Sequence, residues 1–242
     1  EENYDDPDMA GRRLSEFTLI EPETPMPNKT PEEALQTVIG IEQKVVQETI
    51  RSVLASSDRQ ISELGGDVSY LETAAEGDFP QVSYDDALEI LRKNGKDVSF
   101  GHDLDIRDER EIMEAFDNRP VFVTNFPASI KFFNMKRMPD GDRVYSVDLL
   151  TPMLGETTGG AVREDNPEMI KDFLRNTDIA KVVEEKGGDV FETFHEYFQI
   201  FNQEPEVILR GGFGIGFERL IGFLLNSNDI LDTIAYRTLQ PG

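Results

Sequence analysis

The stretch Arg210–Leu225, RGGFGIGFERLIGFLL, constrains this chain more than any other. Its glycines at 212, 214 and 216 keep a strict period of two. A dinucleotide fingerprint needs G-x-G-x-x-G in a tight strand-to-helix turn, and a triphosphate-cradling loop needs Gly-Lys-Ser/Thr; neither occurs. Period two is the period of a strand, so Gly212, Gly214 and Gly216 share one bare face. Phe213, Ile215 and Phe217 form the opposite, apolar face, expected in the core. A strand face without side chains lets something flat or bulky lie on the backbone. FERLIGFLL then starts a helix, with Leu220, Phe223 and Leu224 expected to pack inward. Arg219 falls in its first turn, where the helix dipole disfavours a cation. Either a carboxylate such as Glu218 satisfies it, or an anion such as a phosphate group sits beside it.

The elements before this stretch are legible in outline. Phe17, Leu19 and Ile20 give a partial alternation, so Leu14–Glu21 reads as a buried strand. Thr30 suits an N-cap, Pro31 the first helical position, and Glu33 completes a capping box. Ala34, Val38, Ile41, Val45 and Thr49/Val53 then recur at helical spacing along a long amphipathic helix. Ser83, Asp86 and Gly95 repeat the same start and stop grammar, and DIRDEREIMEAFDN is a third helix. RPVFVTNFP, IKFFNMKRM and DRVYSVDLL read as consecutive strands, with a hairpin signal at Pro139–Asp142. Helical stretches follow from Asn166 and from about Val190. Consecutive strands with short turns mean an antiparallel sheet, hence an α+β fold and not an alternating βαβ one.

At 242 residues the chain suffices for one large domain. It has no cysteine, which removes disulfides, thiolate metal sites and a cysteine nucleophile, and suits a cytoplasmic protein. Its longest apolar run, near Ile221–Leu225, falls far short of a membrane span, and no signal peptide opens the chain. The formal charge of −24 is spread along the sequence, which argues against non-specific nucleic-acid binding by the whole surface. With 15 arginines to 9 lysines it suggests a surface adapted to high salt. His102 and His195 are far apart and read as structural.

A second constellation is VDLLTPMLGETTGGAVRE. Asp148 ends a strand-like run, Glu156 follows eight residues later and Arg163 seven after that, with Gly155, Gly159 and Gly160 between. Two carboxylates can hold magnesium bridged to substrate phosphates, and an arginine beside them can grip a carboxylate or an amide oxygen. A glycine-rich hairpin with solvated acids has the same pattern.

Together these stretches resemble the catalytic domain of class II aminoacyl-tRNA synthetases, in the aspartyl, asparaginyl and lysyl subgroup. GGFGIGFERL is similar to the third signature motif, and GRRLSEFTLIEPE to the second half of the second. RPVFVTNFPASIKFFNMKR with VDLLTPMLGETTGGAVRE is most similar to the asparaginyl type; the aspartyl pattern has one residue fewer between the equivalents of Asp148 and Glu156. SYDDALEILRKNG and FGHDLDIRDERE also match. The resemblance spans nearly all of residues 1–242, read as one catalytic domain. It implies an antiparallel six- to seven-stranded sheet flanked by helices, bent ATP, Mg2+ and an aminoacyl-adenylate. By matching position, Phe17 and Arg219 would stack on adenine from opposite sides, and Arg12 would lie near the terminal phosphates. Gly216 would border ATP. Asp148 and Glu156 would hold magnesium, while Arg163, Gly212 and Gly214 would receive the amino acid. Arg219, Glu156 and Arg12 would carry the catalysis.

The resemblance also implies ATP, asparagine or aspartate, and tRNA(Asn) as partners, and a homodimer for the complete protein. The first motif, the opening arginine of the second and the anticodon-binding domain are expected upstream, so little activity is expected of this stretch alone. Several positions depart from the family pattern: Arg13 and Arg210 stand where histidine is usual, and Asn134 where tyrosine is. Three functions follow: asparagine activation for tRNA charging, tRNA-independent synthesis of asparagine from aspartate, ATP and ammonia, or a non-catalytic binding paralogue.

Overall fold

A computed structural model describes residues 14, 16–202 and 208–235. Its centre is a seven-stranded sheet. In chain order the strands are β1 (Leu19–Ile20), β2 (Glu23–Pro25), β3 (Gln81–Ser83), β4 (Val121–Thr124), β5 (Ser146–Thr151), β6 (Gly155–Val162) and β7 (Arg210–Gly216). They lie in the order β1-β7-β6-β5-β4-β3, with β2 also on β7. Every pairing is antiparallel except β3 with β4, which is parallel. The glycine strand β7 therefore pairs on one edge with β6 and on the other with both short N-terminal strands.

One face of the sheet is covered by α1 (Pro31–Glu63), whose start follows the expected grammar. The Thr30 side chain accepts from the Glu33 N–H, the Glu33 side chain reaches back to the Thr30 N–H, and Pro31 takes the first turn. The helix kinks at Ser57, one residue after the Ser56 hydroxyl donates to Ser52 O. Its buried face carries Leu35, Val38, Ile39, Glu42, Val46 and Ile50. Ile41 and Val45, expected inside, are exposed. Ala34 and Val38 of the expected stripe are buried; beyond them the buried face runs through Ile39, Glu42, Val46 and Ile50. Phe213, Ile215, Val147 and Leu149 meet α1 from the sheet, with α2 (Val68–Glu76) and α9 (Phe217–Leu225) closing the same core. Each such burial contributes about 1.5–3 kcal/mol.

On the opposite face, α3 (Tyr84–Lys93) and α4 (Ile106–Glu114) pack on Val121, Val123 and Leu150. Ser83 and Asp105 cap them through their side chains. A third cluster, built on Ile170, Leu174 and Phe133, joins α5 (Pro167–Arg175), α6 (Asp178–Glu185), α7 (Val190–Thr193) and α8 (His195–Gln199) to the loop after β4.

Three local expectations change. The N-terminal strand is confined to β1 and β2, and Phe17, Leu19 and Ile20 are exposed. IKFFNMKRM makes only isolated bridges, Met135 to Arg163 and Arg137 to Val144, because 3₁₀ structure at Ala128–Ile130 turns the chain first. Phe217 is exposed, since helix α9 begins there and ends the strand alternation. Among the described residues, no helix is long and apolar enough to cross a membrane.

Candidate functional site

A cavity of about 700 Å³ opens over β6 and β7. It brings together Phe17, Glu156, Arg163, Gly214, Gly216 and Arg219, six side chains or bare positions drawn from both ends and the middle of the chain. Arg12 lies outside the described residues. Gly214 and Gly216 form an uncrowded floor: a methyl on Gly214 would meet Glu21 Cγ at 3.7 Å and Oε1 at 3.8 Å, and one on Gly216 would come no closer than 3.5 Å to any atom. Gly212 is different. A Cβ there would fall 2.5 Å from both Glu23 Oε2 and Pro22 O, so its bare face is already covered by β2. Gly212 thus serves strand packing at this point, not the cavity surface.

A bulge in β6 creates the two-carboxylate pair. Leu149 pairs with Thr158 but Leu150 pairs with Glu156, so Thr157 is an extra residue. In a regular strand Glu156 and Thr158 would share a face. The inserted residue turns Glu156 to the side of Asp148, whose partner across the ladder is Gly159. A Cβ on Gly159 would lie 3.2 Å from Glu156 Oε1 and 3.5 Å from Asp148 Oδ1, which places both carboxylates over this glycine.

The sequence reading gave Lys131 no role, yet its ammonium lies 2.5 Å from Asp148 Oδ2 and 3.9 Å from the centre of the Phe126 ring. The Asp148 carboxyl is pushed up to about 7: burial drives the rise, Lys131 opposes it, and Glu156 adds to it. Burial acts against the Lys131 ammonium, but Asp148 and Glu156 outweigh it and raise its pKa. The only sequence signal for Lys131 was its place just after the Pro127–Ser129 break.

Arg219 is held by Glu156: one guanidinium nitrogen donates to Glu156 O and lies 3.6 Å from its carboxylate. Glu218, the sequence candidate, instead accepts from the Thr18 N–H at 3.0 and 3.2 Å. Glu156 is itself anchored from behind, its N–H donating to Glu109 of α4 at 3.1 Å. At the other end of the cavity Arg163 holds Glu23 at 3.2 Å, and Arg210 approaches the same carboxylate at 3.7 Å. Two guanidiniums share one carboxylate, so one positive charge is left over.

Asp148 and Glu156 offer two carboxylates. Among the described residues no group of three or more His, Cys, Asp or Glu is gathered for a metal. Magnesium bound mainly through substrate phosphates takes one or two protein carboxylates, so the pair fits such an ion and not a protein-only cage.

Residues 2–240 match the family model described as tRNA synthetases class II (D, K and N). The chain belongs to this family. As a class II synthetase domain it is similar to the asparagine–tRNA ligase of Lactobacillus johnsonii, 33% identical over 237 residues, 96% of this chain and 50% of that protein. The Alkaliphilus oremlandii asparagine–tRNA ligase is 32% identical over 236 residues, covering 94% of this chain and 47% of its own length. Among solved structures, asparaginyl-tRNA synthetase from Pyrococcus horikoshii complexed with asparaginyl-adenylate superposes with a TM-score of 0.78 at 30% identity. That match covers 93% of this chain and 48% of that one. The chain spans about half the length of the relatives it matches.

Proposed function

We propose that this domain activates an amino acid with ATP, forming an aminoacyl-adenylate, and that the amino acid is asparagine destined for tRNA(Asn). One observation carries the reading. A single cavity gathers an exposed aromatic ring, the Glu156 carboxylate and two arginines over a bare strand floor, with the buried Asp148 carboxylate beside Glu156 at Gly159. The likeness to asparagine–tRNA ligases supports asparagine as the amino acid.

In this reading Phe17 and Arg219 take opposite faces of adenine, a contact suited to a planar guanidinium. Gly216 lets the nucleotide approach the backbone, and Gly214 and Arg163 receive the amino acid. A carboxylate oxygen of the amino acid attacks the α-phosphorus. The bond from that phosphorus to the bridging oxygen breaks, and pyrophosphate leaves with the electron pair. Nothing here requires a protein nucleophile; the domain acts by positioning and charge neutralisation. Asp148 and Glu156 would hold magnesium, which neutralises phosphate charge when bound. The family resemblance alone would put Arg12, which lies outside the described residues, near the terminal phosphates.

The Arg163–Glu23–Arg210 cluster favours a second reading for the substrate. Its surplus positive charge suits an anionic side chain, aspartate, better than a neutral amide. ATP–pyrophosphate exchange by the full-length protein, run with asparagine and with aspartate in parallel, separates the two. Exchange with asparagine supports the first reading and exchange with aspartate the second. Absence of exchange with both refutes adenylation of either amino acid.

A further inference from the structure

Glu42 is a fully buried carboxyl in a helix whose other buried residues are all apolar except Gln47. One of its oxygens accepts from the Thr158 hydroxyl of β6. The other is buried with no hydrogen-bond partner. Burial holds its pKa well above the usual carboxylate range, and the charge of Asp148 adds to this. The pair is a poor stabilising device. A net hydrogen bond contributes about 1 kcal/mol, while an unsatisfied buried polar atom costs about 1–3 kcal/mol. A leucine at this place, beside Ile39 and Val46, would serve the core better. What Glu42 does hold is Thr158, the residue on the C-terminal side of the β6 bulge, next to Gly159. The other side of the bulge is held by Glu109 through the Glu156 N–H, and its middle by the Thr157 hydroxyl on Thr151 at 2.6 Å.

We propose that Glu42 is a positioning residue for the candidate site. Through Thr158 it fixes the register of the bulge, and so keeps the Glu156 carboxylate facing Asp148 across Gly159. Its role rests on the reading of Glu156 as part of the active site, although the strand it fixes can be probed without any activity. Without the Thr158 anchor, β6 can relax toward regular alternation, which turns Glu156 toward the core face and away from Arg219.

The test compares Glu42→Leu, Glu42→Gln, Thr158→Val and the double variant Glu42→Leu/Thr158→Val in the full-length protein. Thermal melts, ATP–pyrophosphate exchange and amide deuterium uptake across residues 155–159 are measured on each. Glu42→Leu is expected to melt at or above the parent temperature, yet to lose about tenfold or more in exchange kcat, as misplacement on the ångström scale does. It is also expected to take up deuterium faster across the bulge. Glu42→Gln, which keeps the acceptor for Thr158, retains most of the rate. Thr158→Val matches Glu42→Leu, and the double variant is no worse than either. Parent-like exchange and uptake in Glu42→Leu, or losses that multiply in the double variant, would overturn the proposal. If the parent shows no exchange, the adenylation reading has failed, and deuterium uptake alone decides the role of Glu42.

Discussion

Gly212 and Gly214 are the same residue on the same face of the same strand, yet alanine should act oppositely at the two. At Gly212 the new methyl meets Glu23 Oε2 and Pro22 O at 2.5 Å and Glu23 Cα at 3.1 Å. A carbon needs roughly 3.5 Å, so β2 must move away by about 1 Å. Because two of the obstacles, Pro22 O and Glu23 Cα, are backbone, the clash cannot be relieved by a rotamer. Overpacking of this kind costs about 1–3 kcal/mol. At Gly214 the nearest atom is Glu21 Cγ at 3.7 Å, an ordinary contact. There alanine only restricts the unfolded chain, a gain of about 0.4–1 kcal/mol. The two variants should therefore differ by roughly 1.5–4 kcal/mol, or roughly 3–16 °C in melting temperature for a chain of this size. Urea and thermal denaturation followed by circular dichroism measure the difference. Gly214→Ala should also weaken amino-acid or ATP binding, because its methyl stands in the cavity. Equal stability of the two variants would refute the account of why Gly212 is bare.

Other predictions address the site and the surface. Phe17→Ala should raise the ATP KM by roughly 5- to 150-fold, the range of one base-stacking contact, with a smaller effect on the amino-acid KM in exchange kinetics. Arg210→His removes the surplus charge beside Glu23 at neutral pH, and should shift the asparagine-to-aspartate ratio of exchange rates toward asparagine. Asp148 titrates near 7 when folded against an ordinary value of 3.8. Between those values the folded chain holds the extra proton, so this group lowers stability as pH rises from about 4 to about 7. Asp148→Asn should flatten that part of the profile, by at most about 1.4 kcal/mol per pH unit, as read from melts at pH 5 and pH 8. With a net charge of −24, melting temperature should rise as KCl goes from dilute to molar, because salt screens surface repulsion; a flat or falling trend would exclude adaptation to high salt.

The sequence carried the helix starts well, because caps are local. Thr30 with Glu33, and Ser83 with Asp86, satisfy their own helix termini within three residues. It carried the glycine strand for a similar reason, since parity along one strand needs no partner. It failed where a distant residue decides the outcome. The buried stripe of α1 was misplaced beyond Val38, where Glu42 reads as a surface residue until Thr158 is set beside it. The spacing of Asp148 and Glu156 suggested a pair but could not set it apart from a hairpin with solvated acids, since the bulge that makes them neighbours reverses the parity along the strand. Lys131 escaped as a site residue because its meaning lies in Asp148, on strand β5, 17 residues further along the chain. Gly212 was assigned to substrate because β2 lies almost the whole chain away from it.

That last separation has a consequence for how the protein is made. Leu19 pairs with Gly216, and Glu23 with Gly212. Joining segments roughly 200 residues apart costs about 5 kcal/mol in chain entropy if nothing has folded between them. The central strands and α1 must therefore assemble first and bring the ends together. The cavity is then the last part of the domain to form during synthesis, after Arg219 has left the ribosome. By the same logic it is the first to open when the folded chain fluctuates. A ligand that bridges Phe17 and Arg219 would act as a clasp on this seam, and its binding should be felt as protection of β1 and β2 against proteolysis.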